Sequence, residues 1–137
     1  MGNTQKIDTL ENVKEFHETY GLSVKDRPDL SCEMTNKLRL NLLQEEVDEL
    51  KEALANGDTV EALDALTDIQ YVLDGAYLSL GLHKLKDAAF SEVQRSNMSK
   101  LGEDGKPIRR EEDGKILKGP NYFAPDLKAV LKTFQEG

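Results

Sequence analysis

The stretch from Leu38 to Tyr71, LRLNLLQEEVDELKEALANGDTVEALDALTDIQY, limits what the chain can fold into more than any other part. It reads as two long helices broken only at Asn56-Gly57-Asp58. On the first helix Leu43, Val47, Leu50 and Leu54 recur at helical spacing and make one apolar stripe, expected to face the core. At about 100° per residue, Glu46 falls about 60° from the centre of that stripe and Glu49 about 120°. These carboxylates therefore border buried surface. On the second helix Glu61, Asp64 and Asp68 form one acidic line among Ala, Leu, Ile, Val and Tyr.

A connection this short makes the two helices antiparallel neighbours, so residues equally far from the turn share a height. Glu49 then faces Asp64, and the Glu45/Glu46 pair faces Asp68. Four or five carboxylates converging beside a core repel one another unless they take up protons or hold a hard cation. Donors that are all oxygen, with no thiolate and no imidazole among them, suit Mg²⁺ or Mn²⁺.

The rest of the chain fits an all-α reading. Asp8 with Glu11 is a capping-box signature, and Leu10, Val13, Phe16 and Tyr20 give helical spacing up to Gly21. Periodicity is lost from Leu22 to Leu30, and Ser31 is the expected cap of the long helix ending near Ala55. Asp58 with Glu61 repeats the capping box, starting a third helix that runs to Leu80 and stops at Gly81. Leu85, Ala89, Phe90 and Val93 mark a fourth helix from Lys84 to Met98. Beyond Leu101, Asp104-Gly105 and Asp113-Gly114 signal a small hairpin or ordered loop, and DLKAVLKTF ends the chain as a short amphipathic helix. At 137 residues the expectation is one domain, 1–137, with a helical core over about 8–100 and an irregular tail over 101–137.

A net charge of −8 argues against a partner with a phosphate backbone, since nothing resembles a basic footprint. No nucleic acid polymer and no membrane is expected as a partner. No apolar run is long enough for a membrane span or a signal peptide, and the single cysteine, Cys32, cannot form an internal disulfide. A cytoplasmic setting is expected.

The pattern E-E-x-x-E at Glu45, Glu46 and Glu49, followed by the acids ending at Asp68, resembles the all-α nucleoside triphosphate pyrophosphatases, the group of MazG-like, dimeric dUTPase-like and phosphoribosyl-ATP pyrophosphohydrolase-like proteins. RSNMSK, DGK and KGPNYFAPDL further on look like one bacterial and phage subgroup of it. The resemblance implies a four-helix-bundle-type fold with a short C-terminal hairpin or loop and a final helix. It also implies hydrolysis of a nucleoside triphosphate to the monophosphate and pyrophosphate, in a house-cleaning role against unwanted nucleotides, by a homodimer or homotetramer. Mg²⁺ would be held by Glu46, Glu49 and Asp68. The family's second-helix Glu falls on Ala65, so Asp64, one turn from Asp68, is the stand-in, with Glu61 a further turn away. Glu45 or Glu46 would take a proton from the attacking water. Arg95 and Lys100 are candidates to contact phosphate, Asn97 the base or sugar, and Tyr71 the substrate if it does not belong to the core.

Bland readings apply elsewhere. Asp48, Lys51 and Glu52 read as a solvated face, and His17 and His83 as surface or cap residues, since neither stands three or four residues from a cluster acid. The missing Glu-x-x-His pairs also count against a di-iron bundle. The competing class is a non-catalytic acidic helical interaction or regulatory protein of the same fold.

Overall fold

In the computed structural model, which describes residues 6–136, capping chemistry sets the helix boundaries. Asp8 accepts a hydrogen bond from the Glu11 amide at 3.1 Å and opens α1, Thr9–Tyr20; Gly21 closes it in the left-handed conformation, φ 72°. Asp58 does the same for the Glu61 amide at 3.1 Å and opens α3, Thr59–Leu80, which ends at left-handed Gly81. Between them runs α2, Glu33–Ala55. The chain divides into two compact units after His83.

In the first unit α3 packs against both α2 and α1. Its inward positions explain how: Ala65, Gly75, Ala76 and Ser79 are buried, and side chains this small let neighbouring helices come close. Gly75 leaves room for both neighbours: a Cβ there would lie 2.8 Å from Arg39 Nη1 and 3.0 Å from His17 Nε2, so a larger residue would have to displace the end of Arg39. At Gly81 a Cβ would meet the Arg27 carbonyl oxygen at 1.9 Å, so the loop before α2 is pressed onto the end of α3.

Three expectations are corrected. His17 is not a surface or cap residue: it is 2% exposed, next to Val13 on the buried side of α1, and its Nδ1 lies 3.0 Å from the Ser23 carbonyl oxygen. That carbonyl satisfies the ring, and burial holds the imidazole below its usual pKa, helped by the charge of Arg39. The cap of α2 is Cys32, not Ser31, whose amide and hydroxyl are both taken by Asp29. The stripe on α2 is only half inward: Val47 is 47% and Leu54 65% exposed, while Arg39 and Ala53 are the buried residues of that helix. Among the described helices of the unit α3 is the one that covers α2 to any extent, and part of the apolar surface of α2 is exposed.

The second unit follows a single 3-10 turn, His83–Leu85, and holds α4, Lys86–Met98. Two short antiparallel strands come next, β1 Ile108–Arg109 and β2 Ile116–Leu117, with Ile108 opposite Leu117. The hairpin expectation is met there, and α5, Leu127–Glu136, closes the described chain. Phe90 and Met98 on α4 are 73% and 61% exposed. The tail is fastened to α4 by its main chain. Ser96 Oγ donates to the Phe123 carbonyl at 2.8 Å, the Phe123 amide donates to Ser99 Oγ at 3.1 Å, and the Asp126 amide donates to Glu92 at 2.6 Å.

Candidate functional site

The acids of the α2–α3 hairpin meet as the register predicts, but unequally. Glu46 and Glu49 of α2 and Asp68 of α3 each offer a carboxylate oxygen, and these oxygens lie within 4.8 Å of one another. Glu46 Oε2 is shielded from water and has no hydrogen-bond partner among the described residues. Burial, a hydrogen bond with Glu49 and the charges of Asp68, Glu49 and Asp64 push the Glu46 carboxyl up to about 7. Burial, then Asp64 and Glu49, likewise raise Asp68. A proton thus does at neutral pH part of what a cation would do. The donor set is hard oxygen from three carboxylates, with a buried oxygen still unsatisfied, and it fits a divalent metal ion.

The other predicted ligands stand one step away. Asp64 and Glu61 line a cavity of about 440 Å³ together with Glu49, Glu52 and Asp58, continuous with the cluster through Glu49. Glu61 also serves α3 through its amide, bonded to Asp58. Ala65, where the family pattern wants a carboxylate, is 1% exposed in the helix seam. Glu45 is exposed on α2 and lies outside the three-carboxylate cluster.

Residues 13–97, more than half of the chain, match the family described as phosphoribosyl-ATP pyrophosphohydrolase. The chain belongs to the phosphoribosyl-ATP pyrophosphohydrolase family. Among curated proteins it is similar to an uncharacterized protein of Acanthamoeba polyphaga mimivirus, 29% identical over 108 residues, which are 72% of this chain and 41% of that protein. The chain therefore spans about two fifths of the length of the curated relative it matches. Among solved structures it is similar to a candidate NTP pyrophosphohydrolase from Exiguobacterium sp. 255-15, at 25% identity over 96% of this chain and 98% of that one. The TM-score is 0.49, a superposition too loose to bear on the fold.

Membership in this family of pyrophosphohydrolases agrees with a mostly helical chain and an acidic cluster able to take a metal ion. The candidate substrate residues fall differently. Arg95 is occupied: its Nε and Nη2 donate to Glu92 at 2.8 and 3.1 Å, and its guanidinium stacks 4.3 Å above the Phe123 ring. That fork draws the Glu92 carboxyl down to about 2, the Arg95 bonds being the largest cause and the Asp126 amide the next. Asn97 and Lys100 line a cavity of about 410 Å³ in the second unit with Met98, Leu101, Pro107 and Ile116. Tyr71 is 39% exposed, one helical turn from Asp68. No helix among the described residues is long and apolar enough to cross a membrane.

Two groups escaped sequence reasoning. Arg39 is 6% exposed, with an Nε that finds no partner among the described residues. Nothing in a charged residue amid LRLNLL announces burial. Glu92 and the two serines Ser96 and Ser99 anchor the tail, and only their i, i+4 and i, i+3 spacing along α4 hinted at a shared face.

Proposed function

We propose that this protein is a Mg²⁺-dependent nucleoside triphosphate pyrophosphohydrolase that releases the nucleoside monophosphate and pyrophosphate, with a house-cleaning role toward unwanted ribo- or deoxynucleotides. The observation that carries the reading is the convergence of Glu46, Glu49 and Asp68 within 4.8 Å on two helices of a family of pyrophosphohydrolases. Glu46, Glu49 and Asp68 would hold the ion, with Asp64 and Glu61 beside them along the same cleft. Bound there, Mg²⁺ supplies neutralisation of phosphate charge and acidification of water. The chain's own part is a proton acceptor. Water adds to phosphorus, the anhydride P–O bond breaks, and the proton passes to a carboxylate oxygen not spent on the ion. Glu45, on the exposed side of α2 and outside the cluster, and the free oxygen of Glu46 are the proposed acceptors. Asn97 and Lys100 are proposed for the base or sugar and for phosphate; Arg95, bound to Glu92, would act by holding the tail.

The reading extends to a homodimer or homotetramer in the cytoplasm. Leu40, Val47 and Leu54 recur every seven residues on α2 and are 67%, 47% and 65% exposed; Leu66 and Leu73 repeat the spacing on α3. An apolar row of this length is the usual seam for a second helical hairpin. A non-catalytic acidic protein of the same fold is the second reading, favoured by buried Ala65 at a ligand position. The test is pyrophosphate release from the common ribo- and deoxynucleoside triphosphates with Mg²⁺. Activity on at least one deoxynucleotide is expected, with near-complete loss in Glu49→Gln and in Asp68→Asn. Unchanged turnover in both variants would remove these residues from the mechanism.

A further inference from the structure

Three aromatic rings, one of them a single turn from Asp68, are exposed where helix periodicity would have buried them. Val13 and His17 take the inward side of α1, leaving Phe16 39% and Tyr20 68% exposed. Their ring centroids are 4.6 Å apart. Phe16 in turn meets Tyr71 of α3 edge-on, with centroids 5.7 Å apart. Tyr71 follows Asp68 by three residues, so the two are surface neighbours on α3.

We propose that Phe16, Tyr20 and Tyr71 form the shelf on which the base of the substrate nucleotide stacks, an inference that rests on the enzymatic reading above. Position is the first argument. From Asp68 to Tyr71 is about 4.5 Å along the helix, and α1 stands a further 8–10 Å or so across. The shelf thus begins beside the carboxylates proposed to manage phosphate and leads away from them, as sugar and base lead away from a triphosphate. Chemistry is the second. Mutually braced rings present π surface at small entropic cost, and every base has a π face to offer. The third is the alternative occupant, a second copy of the chain. The apolar row suited to that contact includes Leu66 and Leu73, and Tyr71 lies roughly 150° around α3 from both. The shelf and the row are different faces.

The recognised group is then a planar heteroaromatic ring joined to a polyphosphate, purine or pyrimidine alike. Recognition through ring faces predicts tolerance of base identity. Tyr20, the most exposed of the three, is the safest to change. In steady-state pyrophosphate-release assays over the common triphosphates with Mg²⁺, Tyr20→Ala and Tyr71→Ala are expected to raise KM roughly 5- to 100-fold, by similar factors for each base, with kcat little altered. Tyr20→Phe, which keeps the ring, should behave as the unaltered protein. The chain has four tyrosines and no tryptophan, so quenching of tyrosine emission by a nucleoside monophosphate with Mg²⁺ reads the contact without turnover. Quenching should fall in both alanine variants. Unchanged KM and quenching in both, or a changed oligomeric state with unchanged KM, would overturn the shelf while leaving the enzyme reading in place. Absence of turnover by the unaltered protein on every triphosphate would instead sink that reading.

Discussion

Replacing Glu46 by Gln should make the metal-free protein more stable, which is the reverse of what loss of a core-bordering residue normally does. The amide keeps the shape of the carboxyl and can still bond to Glu49, but it carries no charge into a place where burial and three acids oppose one. A carboxyl raised from 4.5 to about 7 corresponds to about 3 kcal/mol of disfavoured ionisation once both states are deprotonated. Glu46 is only partly buried and the cleft beside it is open, so screening reduces the expected gain to about 1–2 kcal/mol. In a chain of this size that is roughly 3–8 °C in Tm. The sign with pH follows from the raised value. Wild-type stability from this group is fully present below 4.5 and is lost as pH rises through about 7, so the advantage of Glu46→Gln should be largest near pH 8 and fade toward pH 4.5. Thermal unfolding in chelator across that range is the assay. Saturating Mg²⁺ should narrow or reverse the order, because an ion at 100 times its Kd adds about 2.7 kcal/mol to a protein that binds it only when folded. A variant less stable than wild type at pH 8 without metal, or equal stabilisation of both by Mg²⁺, would refute the reasoning.

Two further substitutions test the packing. Gly81→Ala combines a left-handed backbone, φ 71°, with a Cβ placed 1.9 Å from the Arg27 carbonyl, and should cost on the order of 3 kcal/mol in denaturant unfolding; a loss under about 1 kcal/mol would show that the loop yields freely. Arg39→Met exchanges a buried guanidinium, whose Nε finds no partner among the described residues and which lies by a His17 ring held below its usual pKa, for an apolar chain of similar reach. Its effect on chemical unfolding should be neutral or stabilising by about 1–2 kcal/mol, and a loss greater than about 2 kcal/mol would mean that Arg39 is paired in solution.

Local rules made much of this legible. The caps at Asp8 and Asp58, the glycine stops at Gly21 and Gly81, and the height matching of Glu46 with Asp68 follow from spacing alone, since each depends on residues close in sequence or on a three-residue turn. What was missed depended on neighbours that sequence does not reveal. His17 is buried because a carbonyl six residues on satisfies it, and Phe16 is exposed because α3 meets α1 at Val13 and His17. Val47 and Leu54 satisfied helical periodicity yet face outward, for an apolar stripe says that a helix wants cover and not from which molecule it comes. Arg95, a candidate for phosphate by sequence, is engaged by Glu92, one turn back, on a face that the loop of Phe123 then covers.

The stitching of the tail to α4 divides tolerance unevenly between the two partners. On the tail side the hydrogen bonds grip only peptide groups, the carbonyl and amide of Phe123 and the amide of Asp126, so these bonds survive any residue that retains its N–H and not proline, while the Phe123 ring is held separately by Arg95. On the helix side the grip is made by Ser96, Ser99 and Glu92 themselves, which no apolar replacement can imitate. Apart from the ring at Phe123, drift among relatives should therefore collect along the tail edge of this seam and stop at the helix edge.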